Sequence, residues 1–195
     1  SLTSTHRTWA TYTLLLATLT WVCFGSLRFH LLETHDFETF RDNAKVSADF
    51  AYFFSDQKEQ ASGRLLHEFS MWLAHLAFGQ DPAAFHLLVV ALHFCASLLL
   101  CLTFIRAGAD LELSMLGGLL FLLNVAHFRA VHWLSGFNYV LAFVLSLAAV
   151  FAYLRYIENN RRVWLAACYG SLILGTFSHL ASLMASEIGA NIKVA

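Results

Sequence analysis

The sequence predicts an all-α polytopic membrane protein, with about five transmembrane helices and with interfacial amphipathic helices in its first extracytoplasmic loop. Hydrophobic residues make up 58% of the 195 residues, charged residues only 13%, and the mean hydropathy is +0.61. A soluble domain averages about 45–50% apolar and about 25% charged residues. Pro82 is the one proline, which favours long uninterrupted helices. We therefore expect a single membrane domain over residues 1–195.

Five stretches of the chain are apolar enough to cross the ~30 Å hydrocarbon core as helices of about 20 residues. They cover residues 9–27, 83–105, 113–128, 137–154 and 163–185. The third stretch is short, so we expect it to tilt little or to end below the membrane surface. The first has a poor cleavage site and is followed by four more, which predicts a retained helix rather than a signal peptide.

Lysine and arginine predict the orientation, because they concentrate in short cytoplasmic loops. Loops 106–112 and 155–162 carry four arginines, namely Arg106, Arg155, Arg161 and Arg162. We therefore expect the N-terminus in the cytoplasm and the C-terminus on the extracytoplasmic side. Residues 28–82 then form one long extracytoplasmic loop.

The long loop is expected to contain two amphipathic helices. Residues 65–78 predict one at the membrane interface, because their apolar residues recur at helical spacing. The apolar positions are Leu65, Phe69, Trp72, Leu73 and Leu76. Residues 39–54 predict a second helix with a weaker pattern, with Asp42, Lys45 and Asp49 on one side. Residues 79–82, Gly-Gln-Asp-Pro, predict the turn that leads into the second span.

The composition also excludes several classes of function. The formal charge is −1, and the 12 Lys and Arg form no basic stripe for nucleic acid. The four cysteines lie inside apolar runs without zinc-ligand spacing, so no metal site is expected. The glycine pair Gly117-Gly118 and the stretch from Gly170 to Gly175 predict close helix packing, which includes packing against a partner chain.

Two segments resemble a group of membrane glycosyltransferases. The first is GRLLHEFSMWLAHLAFGQDPAAFHLLVVALHFCASLLL, residues 63–100, in which Arg64, Leu66, Gly79, Pro82, His86 and His93 match the pattern. The second is LLNVAHFRAVHWLSGFNYVLAFVLSLAAVFAYLRY, residues 122–156, and Ser178-His179 occupies the place of a third motif. Over residues 28–188 the chain is similar to the N-terminal half of GT-C class transferases, specifically bacterial TMTC-like and protein O-mannosyltransferase relatives.

The resemblance implies a transferase that uses a polyprenyl-phosphate sugar as donor. Asp36 corresponds to the acidic residue of the first extracytoplasmic loop, which takes the proton from the acceptor hydroxyl. The substrate-binding residues that the resemblance implies are Arg64, His86, His93, Arg129, His132 and His179. It also implies the inner membrane of a bacterium.

Several positions depart from the pattern of these enzymes. Phe37 follows Asp36 where the family has a second acidic residue, and Leu180 follows His179 where another acidic residue is expected. We therefore expect a non-catalytic structural or accessory subunit, in contact with membrane lipids and other membrane protein chains. The alternative is a working transferase, either a fragment or one completed by a partner chain.

The ten histidines leave a further alternative open. His86 and His93 are seven residues apart and therefore share one face of the second span. They are interpreted as helix-packing groups, as remnants of a transferase site, or as ligands of a haem or chlorophyll. The last reading would make the chain a cofactor-binding subunit of an electron-transfer or light-harvesting complex. Arg129 either anchors to lipid headgroups or holds a phosphate with a histidine.

Overall fold

A computed structural model describes residues 2–29, 34–55, 58 and 64–179 of the chain. The α-helices are α1 (Leu2–Phe24), α2 (Thr34–Ala48), α3 (Leu65–Phe78), α4 (Pro82–Arg106), α5 (Leu111–Leu123), α6 (Phe128–His132), α7 (Phe137–Asn159) and α8 (Arg162–His179). Short 3-10 helices cover Gly25–Phe29, Phe50–Phe54, Val125–His127 and Leu134–Gly136. These ranges contain no strand, so the predicted all-α class is confirmed for the described part of the chain.

Three helical segments are long and apolar enough to cross a membrane. They are Arg7–Leu27, Pro82–Arg106 and Phe137–Asn159. Each overlaps a predicted span, at residues 9–27, 83–105 and 137–154 respectively. Membrane insertion is therefore supported by length and composition for three of the five predicted crossings.

The other two predicted crossings are not confirmed as spans. The helix in the third stretch, α5, has 13 residues and ends at Leu123 instead of continuing to Phe128. Thirteen residues rise about 20 Å, which is less than the ~30 Å hydrocarbon core. The fifth stretch forms α8, which has 18 described residues up to His179. Its predicted end at residue 185 lies outside the described residues.

The long loop contains the predicted helix at 65–78, and α3 has these same bounds. Residues 39–54, in contrast, do not form a single helix. Helix α2 begins earlier, at Thr34, and ends at Ala48, and a 3-10 helix follows. The break occurs at Asp49, whose side chain accepts a hydrogen bond from Ala51 N at 3.0 Å and so caps the new turn.

The apolar face of α3 points away from the protein core. Leu65, Phe69, Leu73 and Leu76 are all exposed. The buried face consists instead of His67, Met71 and Ala74. This arrangement suits a helix whose apolar side meets the membrane interface, and it directs a histidine into the protein.

The predicted turn at residues 79–82 is confirmed. Gly79 has a φ of 63°, in the region that favours glycine, and its N–H donates to the carbonyl of His75. The side chain of Asp81 accepts from Ala83 N at 3.0 Å, and Pro82 is the first residue of α4. The turn therefore ends α3 and starts α4 within a few residues.

Helix α4 lies at the centre of the bundle, against α1, α5 and α7, while α8 packs along α7. The contact with α5 is close at Gly118, whose carbonyl accepts a hydrogen bond of 2.7 Å from Ser97 Oγ. A Cβ atom at Gly118 would lie only 2.9 Å from the backbone oxygen of Ser97. The predicted packing role is thus confirmed for Gly118, because the two backbones leave no room for a side chain.

The two predicted arginine-rich loops lie at the same end of the bundle. Arg106 Nη1 is 3.3 Å from Glu158 Oε2, and Arg155 Nη1 is 3.0 Å from the same oxygen. All three side chains are partly exposed. The opposite end of the bundle carries α2, α3 and the residues that the sequence selects as a site.

Candidate functional site

Asp36, the predicted general base, lies in the first turn of α2. Its side chain is only 2% exposed. One turn later on the same helix face, Phe40 packs edge-on against Phe85 of α4, with ring centroids 4.6 Å apart. Asp36 therefore belongs to the face of α2 that is directed at the core.

His86 and His93 are both buried on one face of α4, as their spacing predicts. The Nε2 atom of His93 lies 3.3 Å from the backbone oxygen of Leu122 in α5. The His93 ring also packs against Phe24 and Phe121, with centroids 5.5 and 5.1 Å away. His93 therefore joins α1, α4 and α5, which is the behaviour of a helix-packing polar group.

His127 lies directly beside His93, a contact that the sequence did not predict. The two ring centroids are 5.3 Å apart in an edge-to-face arrangement. Burial lowers the pKa of His127 below its usual value, and a backbone hydrogen bond involving Phe121 offsets part of this effect. Protonation of His127 at pH 7 is thus less favourable than protonation of a free imidazole.

A cavity of about 200 Å³ adjoins this histidine pair. Its lining consists of His93, Phe121, His127, Ala130, Tyr139, Val140 and Phe143. Cofactor and drug-sized sites typically measure about 300–1,000 Å³. The haem or chlorophyll hypothesis therefore gains no support from this cavity, and it stays a prediction that an absorption spectrum would test.

His67, on α3, is a buried residue that the sequence analysis did not select for the site. Its ring centroid lies 5.9 Å from that of Phe137, at the start of α7. Burial lowers the pKa of His67 to about 4, the positive charge of Arg64 acts in the same direction, and Glu68 opposes both. Arg64, one of the predicted substrate-binding residues, thus lies close enough to influence a neutral, enclosed imidazole.

Asn138 is a second buried polar residue that sequence reasoning missed. Its side chain is fully buried, and neither Nδ2 nor Oδ1 has a hydrogen-bond partner within the described residues. Its backbone oxygen accepts a hydrogen bond of 3.2 Å from Ser178 Oγ of α8. A polar residue at the start of an apolar span was the available signal, since such residues in spans are seldom without a role.

The remaining predicted site residues are described only in part. His132 is half-buried in the short helix α6. The side chains of Arg129 and His179 lie outside the part of the chain that the structure describes. Within the described residues, no group of three or more His, Cys, Asp or Glu is arranged to hold a metal ion.

At this end of the bundle, then, an enclosed carboxylate and several imidazoles surround a hydrophobic cluster. The cluster includes Leu27, Phe40, Met71, Phe85, Val89, Val131, Leu134 and Phe137. Burial lowers the pKa of His67 to about 4, so this imidazole can accept or donate hydrogen bonds but contributes no positive charge near pH 7. The arrangement is suited to joining helices more than to transferring protons to a solvent-exposed substrate.

Comparison with known proteins yields no match to the chain among family models, curated proteins or solved structures. The resemblance to GT-C transferases therefore stays a prediction.

Proposed function

We propose that the chain is a GT-C-like integral membrane protein that acts as a structural or accessory subunit of a larger membrane assembly, without transferase activity of its own. The burial of Asp36, at 2% exposure, carries this proposal. A general base must approach the acceptor hydroxyl to about 2.6–3.2 Å. An enclosed carboxylate does not offer an acceptor that approach.

His93, one of the two histidines at the motif positions on α4, supports the same function. His93 uses its Nε2 atom on the carbonyl of Leu122 and packs between two phenylalanine rings. Interhelical hydrogen bonds of this kind contribute about 0.6 kcal/mol on average in membrane proteins. Such a group stabilises the bundle, and it is then not free to bind a sugar phosphate.

We propose that all five apolar helices complete the membrane domain, with the N-terminus in the cytoplasm. Two observations support this arrangement: α5 packs on α4, and α8 packs along most of α7. The short α5 would need local thinning of the bilayer or would end below its surface. The arginines at one end of the bundle agree with the rule that cytoplasmic loops are positively charged.

We further propose that a partner membrane chain packs along α7 and α8. These helices form an apolar groove of about 350 Å³, lined by Ala149, Val150, Tyr153, Leu165, Cys168, Tyr169 and Leu172. Gly170 follows Tyr169 on α8, and, apart from its chain neighbours and the backbone of its own helix, no heavy atom lies within 4 Å of the position a Cβ would occupy there. Small residues at open helix faces allow a second helix to approach closely. Membrane lipids would cover the rest of the exposed apolar surface.

Purification in mild detergent from the native membrane tests the accessory role. We expect the chain to elute together with other membrane chains. The variant Gly170→Leu should release those chains while leaving the thermal stability of the isolated chain unchanged. As a matched control, Ala91→Leu adds bulk at an exposed position on α4 and should keep the complex intact. A wild-type chain that elutes alone as a monomer would contradict the proposal.

The purified complex also tests the catalytic alternative. We expect no sugar transfer when it is given a polyprenyl-phosphate sugar donor and a hydroxyl acceptor. The control is Asp36→Asn, which keeps the shape of the side chain and removes its basicity. Turnover by the wild type that is lost in Asp36→Asn would refute the accessory role and establish a transferase.

A further inference from the structure

The turn between α7 and α8 carries an excess of positive charge. Residues 155–162, Arg-Tyr-Ile-Glu-Asn-Asn-Arg-Arg, contain three arginines and one carboxylate, which gives a formal charge of +2. Arg161 and Arg162 are exposed, and neither side chain makes an ion pair or a hydrogen bond within the described residues. Two adjacent guanidinium groups are therefore left unpaired by the described part of the protein.

The carboxylates near this turn do not neutralise the two arginines. Glu158 already accepts through Oε2 from Arg106 at 3.3 Å and from Arg155 at 3.0 Å. Asp110 and Glu112, in the loop before α5 and in its first turn, make no ion pair within the part of the chain that the structure describes. The first turn of α8 contains no acidic residue either, although the start of a helix favours negative charge. The positive charge at the start of α8 is therefore uncompensated.

Arg155 extends the same positive surface from α7 onto α8. Its Cζ atom lies 5.3 Å from the centroid of the Trp164 ring, in the first turn of α8. This cation–π contact holds the guanidinium between the two helices. A guanidinium has five N–H donors, and the bond to Glu158 uses one of them. Because Trp164 comes two residues after Arg162, the three arginines are neighbours at this end of the bundle.

The arginines lie where a membrane helix meets the lipid headgroups. Helix α7 is long enough to span a membrane, and it ends at Asn159. Ile157 and Val163, which are 62% and 66% exposed, place apolar surface directly beside the charged side chains. Tryptophan is enriched at membrane interfaces, and arginine extends its charge towards water there. A ligand at this position contacts hydrocarbon on one side and water on the other, as a phospholipid does.

The charges also select among phospholipid headgroups. Guanidinium groups bind phosphate oxygens through paired N–H donors. A zwitterionic headgroup brings an ammonium group as well, and the one carboxylate of the turn, Glu158, is already engaged by two arginines. A headgroup such as phosphatidylglycerol brings a phosphate and an uncharged glycerol. The turn therefore fits an anionic headgroup better than a zwitterionic one.

We propose that the turn between α7 and α8 binds the phosphate of an anionic phospholipid, with Arg155, Arg161 and Arg162 as its ligands. The acyl chains lie in the bilayer. The site is at the end of these helices, beyond the groove assigned above to a partner chain. It rests on the proposed membrane arrangement, because this end must lie at a membrane surface, but it does not depend on the accessory role.

Native mass spectrometry of the full chain in detergent micelles tests the proposal. Phosphatidylglycerol and phosphatidylcholine with identical acyl chains are titrated separately, so that only the headgroup differs. An arginine near the surface strengthens the binding of anionic lipid about fivefold, so a net charge of +2 predicts a preference for phosphatidylglycerol of roughly 10- to 30-fold. Equal affinities for the two lipids would overturn the proposal.

Substitutions of single charges locate the site. Arg162→Gln should weaken phosphatidylglycerol binding about fivefold, and Arg161→Gln combined with Arg162→Gln about 25-fold. The matched control is Arg7→Gln, an exposed arginine on α1. It lies at the same end of the bundle, since Tyr12 of α1 donates to the Met115 carbonyl of α5. We expect the control to change the affinity less than twofold.

An equal loss of affinity in Arg7→Gln and Arg162→Gln would overturn the site, because it would show general attraction to a positive surface. If a variant fails to fold, the comparison of the two lipids on the wild type still decides.

Competition with inorganic phosphate separates a lipid from a free anion. We expect no displacement of phosphatidylglycerol by millimolar phosphate, and displacement would overturn the lipid assignment. Flotation with liposomes in alkaline carbonate tests the membrane arrangement independently. A chain that floats but shows no headgroup preference refutes the lipid site alone. A chain that does not float refutes the arrangement and the site together.

Discussion

Gly118→Ala is expected to destabilise the helix bundle by roughly 1–3 kcal/mol. The new Cβ would lie 2.5 Å from Tyr12 Oη, 2.9 Å from the backbone oxygen of Ser97 and 3.3 Å from Cys101 Cβ. The tyrosine can rotate away, but the Ser97 oxygen belongs to the backbone of α4, so the helices must separate. Overpacking of this kind costs about 1–3 kcal/mol.

Two further contributions affect the change in the free energy of unfolding expected for Gly118→Ala. Separation of the helices strains the bond from Ser97 Oγ to the Gly118 carbonyl, at 2.7 Å, and the bond from Tyr12 Oη to the Met115 carbonyl, at 2.9 Å. Each such bond contributes about 0.6 kcal/mol in membrane proteins. Alanine returns about 1 kcal/mol through its higher helix propensity. The loss from the two strained hydrogen bonds and the gain from helix propensity nearly cancel, so the steric cost of the new Cβ sets the change in stability.

Reversible unfolding in mixed micelles, followed by circular dichroism, measures this difference. The matched control is Gly170→Ala on α8, where a Cβ meets nothing within 4 Å. The control should leave the free energy of unfolding unchanged or raise it by up to about 1 kcal/mol. If Gly118→Ala is as stable as Gly170→Ala, the close approach of α4 and α5 is wrong.

Two other substitutions test local features by the same unfolding assay. Asp81→Ala removes the side-chain cap of α4 and should cost about 1 kcal/mol, whereas Asp110→Ala should cost less because Asp110 makes no side-chain cap bond to α5; equal losses would contradict the capping role. His67 has a folded pKa of about 4, so the folded state binds fewer protons than the unfolded state between pH 6.5 and 4. The stability that a neutral His67 permits is therefore fully present above about pH 6.5. Below that pH the free energy of unfolding falls by up to about 1.4 kcal/mol per pH unit towards pH 4, and His67→Gln should reduce this slope. Identical slopes for the two proteins would rule out a buried neutral His67.

Helix ends that depend on local hydrogen bonds could be anticipated from the sequence only in part. The Gly-Gln-Asp-Pro turn was predictable, because glycine, aspartate and proline each have a fixed role at helix ends. The end of α5 was not, since the apolar run continues past Leu123. There the side chain of Asn124 accepts a hydrogen bond from Ala126 N at 2.9 Å, and this local bond competes with continuation of the helix.

The candidate site could likewise be predicted from the sequence only in part. Asp36, His86 and His93 were selected from the sequence, and the spacing of the two histidines correctly predicted a shared buried face. The contact between His93 and His127 could not be predicted, because neither sequence segment indicates which helices pack against each other. Nor did the pattern of α3 show that His67 is buried while Leu76 is exposed, since in a membrane an apolar face need not point inward.

By itself, the sequence determined that the chain is helical, that it contains long apolar helices, and where the turn between α3 and α4 lies. These properties are sums over neighbouring residues, such as hydropathy over one span or the hydrogen bonds of one cap. Only the tertiary structure decided that Asp36 is enclosed, that His127 meets His93 and that a cavity of about 200 Å³ lies beside them. Such properties depend on how helices distant in sequence cross and rotate against each other, and small residues such as Gly118 set that approach through contacts between helices.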